Sequence, residues 1–139
     1  MRVIVFVKAT AESETGAIPS TDLIEAMTTY NEQLVAAGIM KGGEGLHPSS
    51  AGKRVAFDGT SRTVIDGPFA ATSELVAGFW LWEVKDMDEA VAWVKKCPNP
   101  MSGPSEIEIR PMFETADFGD AVTPELAERE EKMRRQVEG

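Results

Sequence analysis

Apolar positions along this chain alternate between two periods. Arg2-Val3-Ile4-Val5-Phe6-Val7-Lys8 is a β-branched and aromatic run bracketed by charge, which predicts a central strand with apolar residues on both faces. Residues 9–17 read as a polar loop ending at Pro19-Ser20. From Thr21 the stripe Leu23, Met27, Tyr30, Leu34 steps by four, three and four residues, so a helix runs to Ala37, with Ser20 as its N-cap and Gly38 at its C-cap. Ile39 to Glu44 is a short, Gly-rich extended segment, and 45–52 is a loop by its Gly, Pro and Ser content.

Val55-Ala56-Phe57-Asp58 and Thr63-Val64-Ile65 flank Gly59-Thr60-Ser61, the pattern of a β-hairpin. Val76 to Val84 is nearly all apolar and too short for a typical helix, so it reads as a central strand buried on both faces. Asp86 with Glu89 opens a second helix through Ala90, Val91 and Val94, stopped by Cys97-Pro98-Asn99-Pro100. Glu106 to Arg110 alternates strictly, as a half-exposed edge strand does. Thr123-Pro124 starts a last helix with four Glu-before-base pairs at i,i+4 (125/129, 128/132, 130/134, 131/135) and a thin apolar stripe of Leu126, Met133 and Val137. It reads as a surface or partner-contacting helix.

The order of strand, helix, strands, helix, strand matches a ferredoxin-like βαββαβ domain, an α+β fold with both helices on one face of an antiparallel sheet. Its bounds are 1–114, with a charged helical extension over 115–139. Both predicted central strands carry large apolar residues at odd and even positions alike, so the face without helices would be apolar. With Trp80 and Trp82 on that face, exposure would forfeit several kcal/mol of burial. A second copy packed sheet to sheet covers it, which predicts a homodimer through the open sheet face.

Composition narrows the function classes. A formal net charge of -9 argues against a direct nucleic-acid partner and against anionic lipid. One cysteine and one histidine exclude an internal disulfide and a Cys/His zinc site, and fit the reducing cytoplasm. The apolar run at Val3–Val7 is too short for a signal-peptide core, and nothing approaches a membrane span. Gly42-Gly43-Glu44-Gly45 lacks the lysine and strand-turn-helix context of a phosphate loop. No metal or cofactor is expected.

At Asp66-Gly67-Pro68-Phe69 the chain must turn sharply between the hairpin and the apolar strand. With Gly43-Glu44-Gly45-Leu46, Pro48-Ser49-Ser50, Gly78-Phe79-Trp80, Cys97-Pro98 and Glu106-Ile107-Glu108-Ile109-Arg110, the tetrapeptide makes the chain resemble the YCII-related family, in the subgroup named after DGPF. The resemblance covers nearly the whole chain and implies a dimeric α+β barrel. Members resemble uncharacterised bacterial proteins, partners of alternative sigma factors, and a few small-molecule lyases or dehydrohalogenases. Asp66 matches the family's acid. The helix histidine of shorter relatives has no counterpart between Thr21 and Ala37, which leaves His47 as a positional substitute, and the charged pair that often follows the tetrapeptide is replaced by Ala71 and Ser73.

His47 is the one side chain whose ordinary pKa, about 6.5, suits proton transfer near neutrality. An Asp66 carboxylate bonded to one ring nitrogen would orient it for isomerisation or elimination on a small hydroxylated or carbonyl substrate. Tyr30 and Phe69 are the candidate pocket walls. The plainer alternatives are a loop histidine on a surface turn, an Asp66 that bonds nearby backbone N–H groups to fix that turn, and tryptophans that serve as core or interface. Three readings follow: a proton-transfer enzyme needing no cofactor, a ligand-binding or regulatory module acting through the C-terminal helix, and a purely structural dimer.

Overall fold

The computed structural model describes residues 1–70 and 72–139. Its strands are β1 (Arg2–Lys8), β2 (Met40–Gly45), β3 (Lys53–Asp58), β4 (Ser61–Asp66), β5 (Val76–Glu83) and β6 (Ile107–Pro111). Its α-helices are α1 (Ala11–Glu14), α2 (Thr21–Ala36), α3 (Met87–Lys95) and α4 (Pro124–Glu138). Four strands form one antiparallel sheet in the order β2-β5-β1-β6, while β3 and β4 pair only with each other. This is the ferredoxin-like α+β arrangement, with a hairpin inserted between the second and third strands of the sheet.

Alternation along β1 and β5 decides which face is the core. Val3, Val5 and Val7 pair with Trp82, Trp80 and Gly78, and these residues meet Tyr30 and Leu34 of α2 and Ala90 of α3 in one cluster. Leu34 is 0% exposed and Trp82 1%, burials worth about 1.5–3 kcal/mol each. Ser20 caps α2 by accepting from the Leu23 N–H, and Asp86 caps α3 by accepting from that of Glu89. Both tryptophans therefore lie under the helices, which corrects their expected placement on the open face. That face instead carries Ile4, Phe6, Phe79 and Leu81, all partly buried.

Two further expectations change. Residues 9–17 contain α1, a single turn with a capping box in which the Thr10 hydroxyl accepts from the Ser13 N–H and the Ser13 hydroxyl accepts from that of Thr10. Of the four Glu-before-base pairs on α4, only Glu131 to Arg135 closes among the described residues, at 3.5 Å. Exposed long side chains gain too little from such pairs to hold one geometry.

Every residue from Lys53 to Asp66 is exposed, so the hairpin projects from the body as an arm. Gly59 supplies the φ of +57° that its two-residue turn needs. No helix among the described residues is long and apolar enough to cross a membrane.

Candidate functional site

An open cleft of about 1080 Å³ lies beside the core, between α1, the first half of α2, the end of β2 with the loop after it, the start of β5 and residues 99–102. Its apolar lining includes Val7, Leu23, Met27, Ala77 and Trp80. Leu23 and Met27 belong to the helical stripe read from the sequence, so the cleft is the end of that stripe where the sheet and helix diverge.

Polar links close its rim. The Glu14 carboxylate accepts from the Ser49 N–H at 2.9 Å and from the Ser49 hydroxyl. On the other side, the Glu12 carboxylate accepts from the Ser102 hydroxyl, and the Thr10 hydroxyl donates to the Met101 sulfur at 3.6 Å. The one-turn helix α1 is thus a strap between two loops.

The Asp66-Gly67-Pro68-Phe69 hinge holds one of those loops. Phe69 N–H donates to the Ser49 hydroxyl at 3.0 Å, and Gly67 N–H donates to the Gly52 carbonyl at 3.0 Å. Gly67 packs so closely that a Cβ there would sit 1.7 Å from the Ser49 carbonyl oxygen. Only glycine permits that approach. The tetrapeptide is a clamp on residues 49–52, and the same loop brings His47 to the cleft wall.

The sequence-predicted residues part company here. His47 lines the cleft and is exposed. Asp66 stands at the root of the arm with its side chain 73% exposed and ion-paired to Lys53, and no hydrogen bond joins it to His47 among the described residues. Phe69 stacks under Arg54, whose guanidinium carbon is 4.0 Å from the ring centroid. Tyr30 is in the core, 2% exposed, where its hydroxyl donates to the Trp93 carbonyl at 2.6 Å. Burial holds that hydroxyl protonated well above the usual phenol range. Of these four residues only His47 lines the cleft. The family position at Ala71 lies outside the described residues, and Ser73 is exposed.

Sequence reasoning passed over Glu12 and Glu14, the carboxylates of α1. They line the cleft with His47, and no lysine or arginine among the described residues does so. Glu12 and Glu14 are committed to serines, whereas His47 has no side-chain hydrogen bond or ion pair among the described residues; Glu44 pairs with Phe79 across β2 and β5, so its side chain lies on the open face of the sheet and not beside Trp80. Cys97 is partly buried, and burial pushes its thiol up to about 11, so it is a poor nucleophile near neutrality.

Residues 1–114 match the YCII-related domain, and the chain belongs to that family. It is similar to an uncharacterised protein of Rhizobium meliloti (strain 1021), 28% identical over 86 residues that span 62% of this chain and 69% of the relative. Among solved structures it is similar to 5-chloro-2-hydroxyhydroquinone dehydrochlorinase (TftG) from Burkholderia phenoliruptrix AC1100, in complex with 2,5-dihydroxybenzoquinone. There the TM-score is 0.47 and the identity 17%, over 84% of this chain and 98% of that one.

Proposed function

We infer that the cleft binds a small, largely apolar molecule that is neutral or cationic, and that His47 moves a proton on it. The observation that carries this reading is His47, an ionisable side chain with no side-chain hydrogen bond or ion pair among the described residues, at the wall of a cleft whose apolar lining includes Trp80. Glu12 and Glu14 line the cleft and no lysine or arginine among the described residues does, which disfavours an anionic ligand, because its charge would meet like charge. His47 takes a proton from carbon or oxygen and returns it elsewhere on the molecule, the chemistry of an isomerase or lyase. Asp66 enters this reading as the anchor of the arm through Lys53.

The test uses the chain's single histidine. Neutral and cationic aromatic or carbonyl compounds are screened by NMR for shifts of the His47 ring signals, and the binders are assayed for deuterium uptake from solvent at carbon. Binding with uptake that vanishes in His47→Gln, while binding survives, supports the reading. Binding without uptake favours a ligand-binding or regulatory module. A library in which only anions bind removes the ligand class proposed here.

The assembly in this reading is a homodimer through the open sheet face. Ile4, Phe6, Phe79 and Leu81 form adjacent cross-strand pairs, Ile4 to Leu81 and Phe6 to Phe79, on the side opposite α2 and α3. Such a patch is covered by a like patch under two-fold symmetry.

A further inference from the structure

We propose that the β3–β4 arm is a clasp that seats on a second copy of this chain, each protomer lending its arm to the other. The inference rests on the pairing through the open sheet face and adds to it. The arm is two-stranded, and all its residues are exposed, so among the described residues its own body covers it little beyond the stacking of Arg54 on Phe69. A lone ribbon of this size is marginal in water, so a partner surface is the missing part of its fold. One face of the ribbon carries the cross-strand pair Val55 and Val64 with Phe57 beside it, 52%, 60% and 73% exposed.

The root of the arm is built to aim it. Lys53 and Asp66 pair across the first register position, Gly67 is bonded to Gly52, and Arg54 stacks on Phe69. Each strand has six residues, about 20 Å at the usual rise, while four strands at about 4.8 Å spacing make a sheet about 15 Å across. The arm is long enough to lap a second copy from edge to edge.

Charge selects the occupant. The arm holds three basic and two acidic side chains, a balance of +1 on a chain of -9, so the remainder of each chain carries -10. Arg54 and Arg62 lie on opposite faces of the ribbon and meet an acidic body whichever face is down. A balance of +1 is too small to draw nucleic acid onto a chain whose remainder repels phosphate.

Sedimentation of the full chain is compared for wild type, the arm variant Phe57→Asp with Val64→Asp, and the sheet-face variant Leu81→Asp, with circular dichroism as the check on folding. Mixed protomers, one isotope-labelled, then report contacts between chains from the Phe57 ring. The clasp predicts that the arm variant stays folded yet dimerises at least about tenfold more weakly, and that Phe57 shows contacts to the other protomer. A dimer that Leu81→Asp breaks and the arm variant leaves intact, with no interprotomer contact from Phe57, overturns the clasp and spares the sheet pairing. A monomeric wild type overturns both. Should the arm variant unfold, the Phe57 contacts in the wild type decide alone.

Discussion

Gly67 is the residue on which the candidate site turns. A methyl group at that position would stand 1.7 Å from the Ser49 carbonyl oxygen and 2.7 Å from its carbon, so the 49–52 loop must move. Gly67→Ala is therefore expected to lose about 1–3 kcal/mol of stability in urea denaturation. Gly52→Ala is the control, because its nearest contact is 3.4 Å and its φ of -102° suits any residue. Equal midpoints for the two variants would show that the tetrapeptide is not pressed against the loop. Ser49→Ala removes a hydroxyl that donates to Glu14 and accepts from Phe69, and should cost about 1–3 kcal/mol by the same measurement. A sequence reading finds Gly67, Asp66 and His47 because they are unusual in their local context. Which of them share a wall depends on contacts between residues far apart in sequence, such as Glu14 with Ser49. That is why Asp66 looks like a partner for His47 from the sequence and pairs with Lys53 in the structure.

At the scale of elements, periodicity carries most of what can be read. The helix from Thr21, both central strands, the edge strand and the second helix follow from spacing and capping residues, because each buries one stripe or face against a single core, whereas the hairpin follows from its turn and flanking strands alone. What spacing leaves open is which face of a two-sided strand meets the helices. Val3, Val5 and Val7 win that place over Ile4 and Phe6 because they share a register with Trp80 and Trp82, which fill the volume under α2. The strap α1 is illegible for another reason: one turn has no apolar period, and only its capping box marks it. Helix α4 is well capped yet buries no residue, with Leu126, Met133 and Val137 at 42%, 55% and 87% exposure. Removing residues 123–139 should then change the unfolding free energy per chain by less than about 1 kcal/mol. A larger loss would place this helix against a partner or a second copy.

For the whole molecule, the face between α2 and α3 sets the response to alkaline pH. Tyr30 and Cys97 both lie there, and burial raises the pKa of each, Cys97 from 9.0 to about 11. A thiol raised this way holds its proton in the folded state after the unfolded chain has released it. Its contribution is therefore full below about pH 9 and is lost as pH rises toward 11. The expected loss is on the order of 1–2 kcal/mol once solvent screening of a half-buried group is allowed for. Tyr30 extends the decline above pH 10, where the unfolded phenol ionises while the folded one still donates to Trp93. Urea midpoints taken from pH 7 to pH 11 test the assignment. Wild type should fall steadily above pH 9, Cys97→Ala should hold its pH 7 value to about pH 10, and Tyr30→Phe should start lower but decline less beyond that point. A Cys97→Ala curve parallel to wild type would place the alkaline sensitivity outside this thiol.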